Sequence, residues 1–167
     1  MRTLIFICLL LATPISASAD EYAIGDLAIS YDPAHWRFET ISEGDPLRAQ
    51  PATFEARCLD CRGAGLVSIS VGDIAREVSE TVLDPAWAHN TQHAYMIVGE
   101  LAIGITTNQS PCRNYVPPSI TARTVFRGHD YKFRSGAAIG CRESFGVGSE
   151  RFNELLRGLH PRGNVIP

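Results

Sequence analysis

Lysine is almost missing from this chain: Lys132 stands alone among 15 basic residues, the others all arginine, against 18 acidic ones. The arginines are scattered and the balance is negative, so there is no basic field to hold a phosphate backbone or an anionic membrane, which speaks against nucleic acid as a partner. Long apolar runs are scarce too. Beyond residue 19 nothing approaches the roughly 20 consecutive apolar residues that span a bilayer, so no transmembrane segment is expected. Internal repeats, low-complexity tracts and linkers are absent, which leaves no natural place to divide the chain. Hydrolase signatures are missing as well: there is no G-x-S-x-G and no H-E-x-x-H, and Gly146-Val147-Gly148-Ser149 lacks the order of a nucleophile elbow. No cofactor motif is present, and no cofactor is expected.

What is present begins with a leader. Residues 1–19 run from Arg2 through an apolar stretch, Leu4 to Ala12, to Pro14 and Ala17-Ser18-Ala19, the layout of a secretory signal cleaved after Ala19. The expected product, residues 20–167, is a single globular domain, periplasmic or secreted, with 14 basic and 18 acidic residues. It retains Cys58, Cys61, Cys112 and Cys141, an even number in an exported chain, which reads first as two disulfides. Of the three possible connectivities, Cys58–Cys61 with Cys112–Cys141 is favoured. The first pair are already neighbours, and the second closes a loop long enough to restrict the unfolded chain by about 3 kcal/mol.

Alternation predicts strands at 27–31 and 36–39, read as a hairpin across Asp32-Pro33-Ala34-His35, and further strands at 53–58, 66–71, 96–106, 120–126 and 131–141. Ile74, Val78 and Val82 predict a helix. Asp84-Pro85 predicts the start of another, running to about Tyr95. Phe152, Leu155, Leu156 and Leu159 form one apolar stripe of a last helix with Ser149 as cap. The expectation is an α+β fold: a mostly antiparallel sheet of six or seven strands with two or three helices packed on it, stapled by disulfides. The leading strand Leu27-Ala28-Ile29-Ser30-Tyr31-Asp32-Pro33 running into Trp36, together with a closing strand that feeds the Phe152–Leu159 stripe, resembles secreted Mog1/PsbP-like α/β/α sandwich domains. The resemblance covers both ends of the mature chain. It implies a mostly non-enzymatic protein and carries no catalytic residue over, since none of the matching residues does chemistry and the cysteines lie outside the pattern.

Two constellations could carry chemistry. Cys58-Leu59-Asp60-Cys61 has the spacing of a thiol oxidoreductase or a zinc knuckle, but Arg62-Gly63-Ala64-Gly65 follows it where a redox motif needs a helix, so a structural turn disulfide is expected. His89, His93 and Met96 at i, i+4 and i+7 would share a helix face and could hold zinc or copper. Glu39 and Glu55, on neighbouring strands, form a carboxylate pair of the sort glycosidases use, with nothing to set it apart from solvated charge. Trp36 and Trp87 read as core. The function expected is therefore an exported bacterial binding or accessory module, non-enzymatic, with a protein or small molecule as partner. The alternative is a thiol-disulfide redox or metal-handling protein using the C-x-x-C pair.

Overall fold

The computed structural model describes residues 19–48, 50–61, 65–73, 91–108, 119–136 and 147–163. Ten strands lie among them: β1 (Asp20–Ile24), β2 (Leu27–Tyr31), β3 (Trp36–Ser42), β4 (Ala52–Cys58), β5 (Leu66–Asp73), β6 (Thr91–Val98), β7 (Leu101–Asn108), β8 (Ser119–Phe126), β9 (His129–Ser135) and β10 (Leu159–Pro161). One α-helix, α1 (Ser149–Arg157), precedes β10. The strands form two antiparallel sheets, one ordered β1-β2-β10 and the other β3-β4-β5-β9-β8-β7-β6. This corrects the expected α+β architecture of one sheet under two or three helices: the described chain is mostly β, with one α-helix.

Local sequence accounts for most of the turns. Gly25, Gly99 and Gly128 supply the positive φ that two-residue hairpins need, and at Arg127-Gly128 both residues adopt it, with φ of 48° and 84°. Along the larger sheet, inward residues alternate with solvated ones. Phe54 faces Ile69, Ile69 faces Phe133, and Phe133 faces Ala122, so one apolar row crosses four strands. These side chains join Ile24, Leu27, Ile29, Phe152, Leu155, Leu156 and Leu159 from the small sheet and helix in one core. The helical stripe at 152, 155 and 156 is buried as its spacing requires, while Leu159 belongs to β10. The residue before the helix is Gly148, and Ser149 is its first residue without a side-chain capping bond.

Three departures from the expected elements have physical causes. Strands 27–31 and 36–42 do not pair with each other: β2 takes β1 and β10 as neighbours, and β3 takes β4. The turn between them redirects the chain, because the Asp32 carbonyl accepts both the His35 and Trp36 N–H and its carboxylate accepts that of Ala34. The run 96–106 is two strands, not one, divided at Gly99-Glu100. The helix expected to reach Tyr95 gives way to strand from Thr91 onward; its earlier part, and the helix at 74–82, lie outside the described residues. Side chains link the two sheets. Tyr22 stacks on Phe38 at 4.8 Å, Tyr31 tilts against Phe38 at 4.6 Å, and the buried Tyr131 hydroxyl accepts the Asp26 N–H at 3.0 Å.

Candidate functional site

The small sheet, the start of β3 and α1 meet at one corner, where the C-x-x-C loop also lies. Cys58 ends β4 with 5% of its surface exposed, and Cys61 follows in the loop; the two are joined as a disulfide with a Cα–Cα distance of 5.5 Å. The loop is compact because the Cys58 N–H donates to the Gly65 carbonyl at 2.8 Å. A Cβ at Gly65 would lie 3.0 Å from both cysteine Cβ atoms, and its φ is +48°, so only glycine fits there without strain.

Asp60, inside the motif, ties this loop to its surroundings. Its Oδ1 lies 3.2 Å from Cys58 Sγ. Its Oδ2 accepts from Arg151 Nη2 on α1 and lies 2.9 Å from His35 Nδ1. The His35 nitrogen is buried and is not aligned with this carboxylate for a hydrogen bond. On its other side His35 Nε2 stands 3.7 Å from Asp32 Oδ2, so the imidazole sits between two carboxylates. Arg151 also reaches Glu154 through Nη1 at 2.6 Å, and this bond, with the charges of Asp60 and Glu150, raises the guanidinium pKa against the opposing effect of desolvation.

Beside this network opens a cleft of about 180 Å³ lined by Ser30, Tyr31, Asp32, Trp36, Glu154 and Leu155, and by Ala19, the residue after which the leader is expected to be cut. Trp36 lines the cleft and is 2% exposed; its indole N–H is buried away from solvent without an acceptor, and an unpaired buried donor costs about 1–3 kcal/mol. Burial, then the neighbouring Asp20 and Tyr22, raises the Tyr31 pKa above its ordinary value. Ser30 Oγ is occupied by His160 Nε2 at 3.0 Å.

The remaining residues singled out by sequence fall elsewhere. His93 and Met96 lie on β6, not on a helix, three residues apart and so on opposite faces: His93 Nδ1 bonds Thr106 Oγ1 at 3.2 Å, and Met96 packs toward the core opposite Ile103. The helical face that was to bring them together with His89 is thus replaced by a strand whose alternation separates them. His89, Cys112 and Cys141 lie outside the described residues. Glu39 and Glu55 do stand opposite each other, on the open outer face of β3 and β4 beside the Arg37–Arg57 pair. Sequence reading missed His35, Asp60, Arg151 and Glu154 as a group, and the only local sign of it was a carboxylate between two cysteines. No protein-family model, curated protein or solved structure matches the chain. No helix among the described residues is long and apolar enough to cross a membrane.

Proposed function

We propose that this is an exported bacterial accessory protein of the periplasm or secreted space, non-enzymatic, which binds a small polar ligand at the corner cleft. The observation that carries this reading is a cleft lined by Tyr31 and Trp36 together with Asp32 and Glu154. Aromatic side chains with carboxylates suit a positively charged group. The test is isothermal calorimetry of the purified protein against a panel of small molecules bearing an ammonium or guanidinium group, repeated with Asp32→Asn, whose side chain can still accept the Ala34 N–H. Saturable binding that the variant weakens supports the reading; heats that are the same in both proteins overturn it.

A second reading, thiol or metal chemistry at the C-x-x-C pair, is favoured by one feature: Cys58, Asp60 and Cys61 place their donor atoms within 4.8 Å of one another, with His35 beside them. Once reduced by a dithiol, two thiols, a carboxylate and an imidazole would suit zinc. Two features weigh against it as the working state. Cys58 ends a strand, where no helix dipole stabilises a thiolate, and its sulfur faces the Asp60 carboxylate, which disfavours a negative sulfur. Mass spectrometry before and after incubation at a thioredoxin-like potential separates the readings. Retention of the Cys58–Cys61 bond favours the binding module, and selective opening with uptake of added zinc favours the alternative.

A further inference from the structure

The two edges of the seven-stranded sheet are built differently. β3, at one edge, carries Arg37 and Glu39 on its solvent side, and its register with β4 slips between Thr40 and Ser42. Charges and bulges of this kind keep an edge from pairing with another chain. β6, at the other edge, has neither. Its eight residues, TQHAYMIV, include no Asp, Glu, Lys, Arg or Pro, and its register with β7 runs unbroken from Thr91↔Asn108 to Val98↔Leu101. Among the described residues β7 is its one strand neighbour.

The turn fixes which backbone groups are left over. Val98 and Leu101 flank a two-residue loop and exchange hydrogen bonds, so the N–H and C=O of even-numbered residues point to β7 while those of His93, Tyr95 and Ile97 point to the open edge. The side chains of those same residues share one face. On it Tyr95 is 84% exposed and Ile97 71%, with Val125 of β8, half exposed, on the same face of the sheet. The Tyr95 ring lies over Gly104, which has no side chain to lift it away.

We propose that β6 is the pairing edge of a homodimer, joined antiparallel to β6 of a second copy about a two-fold axis normal to the sheet, so that the two sheets continue as one. The strand itself selects this occupant. A two-fold pairing sets every residue of β6 against another residue of β6, and a strand without fixed charges can oppose itself with no like-charge contact. The axis also keeps like faces together, so Tyr95 and Ile97 of both copies fall in one apolar cluster. A charged partner strand would find no complementary charge on β6.

The test is sedimentation velocity on protein expressed from the full sequence, from about 1 to 300 µM, comparing it with Tyr95→Lys/Ile97→Lys. Both side chains are exposed in the single chain, so the double variant is expected to fold with an unchanged circular dichroism spectrum. The expected result is a reversible monomer–dimer shift whose dissociation constant rises at least tenfold in the variant. Amide exchange would show His93, Tyr95 and Ile97 protected at the high end of the range and open at the low end. A monomer throughout, assemblies larger than a dimer, a dimer that survives both lysines, or unchanged exchange at those three amides would overturn the proposal.

Discussion

The disulfide corner and the β6–β7 hairpin are held by different kinds of interaction. At the corner, strand, loop and helix are tied by side chains: Asp60 to His35 and Arg151, Arg151 to Glu154, and Cys58 to Cys61. Nearby, the N–H of Ser30 on β2 donates to the Gly158 carbonyl at the end of α1, 2.9 Å away. The hairpin relies on its backbone ladder, with Met96 and Val98 alone among the described side chains of β6 packed against the core. A ladder holds a strand in register but leaves its far edge open, whereas a net of side chains fixes several elements at once and encloses space. That difference places the cleft at one end of the molecule and the pairing edge at the other.

Glycine substitutions give the sharpest contrast. A Cβ at Gly158 would lie 2.2 Å from the Ser30 carbonyl oxygen, a collision between backbones that no side-chain rotation relieves. Gly158→Ala is expected to lose more than about 3 kcal/mol in urea unfolding. At Gly99 nothing lies within 4 Å and only the φ of +57° resists a side chain, so Gly99→Ala should cost about 1 kcal/mol. Equal losses would break the comparison.

Removing the disulfide with Cys58→Ala/Cys61→Ala opens a loop with a sequence separation of 3, for which chain entropy gives about 2 kcal/mol. The corner should weaken while exchange of the β6–β7 amides stays as in the parent. Tyr131→Phe leaves the Asp26 N–H without its acceptor and is expected to cost about 1–2 kcal/mol at neutral pH. The phenol also sets a pH dependence. Burial is the largest of the influences that raise its pKa in the fold, so its contribution is complete below the unfolded value of about 10 and fades as pH climbs through the folded one. Part of the alkaline fall in stability should therefore vanish in the phenylalanine variant. Asp60→Asn removes the solvent-screened ion pair with Arg151 and should have the smallest effect on stability, one that shrinks further at high salt.

Sequence periodicity revealed elements whose two faces differ. β4, β5 and the β8–β9 hairpin alternate cleanly, the 152–156 stripe is helical, and the Cys58–Cys61 bond followed from proximity along the chain. It could not reveal how strands divide between sheets, because β2 and β3 are neighbours in sequence and the separation between them is set by β10, more than a hundred residues later. β1 was missed because Asp20 and Glu21 hide its alternation. The N-terminal part of β6 carries a misleading helix signal, since the cap pattern at Asp84-Pro85 outweighs the β-favouring Tyr95, Ile97 and Val98. The corner network was invisible for the same reason as the sheet partition: His35, Asp60 and Arg151 are brought together only by the tertiary fold.

The pairing of β10 with β2 has a consequence for the order in which this protein acquires its structure. Leu159 lies against Ile29, so the small sheet is complete only when the last described strand is in place. Loop closure over that distance is slow compared with forming the local hairpins β6–β7 and β8–β9. A chain emerging from its amino end would therefore hold β1 and β2 as a lone hairpin, too small to be stable by itself, until the carboxyl segment arrives to lock it. The corner cleft, built on that sheet and on α1, is thus among the last features to form, and a chain lacking the final strand would have its large sheet without a finished cleft.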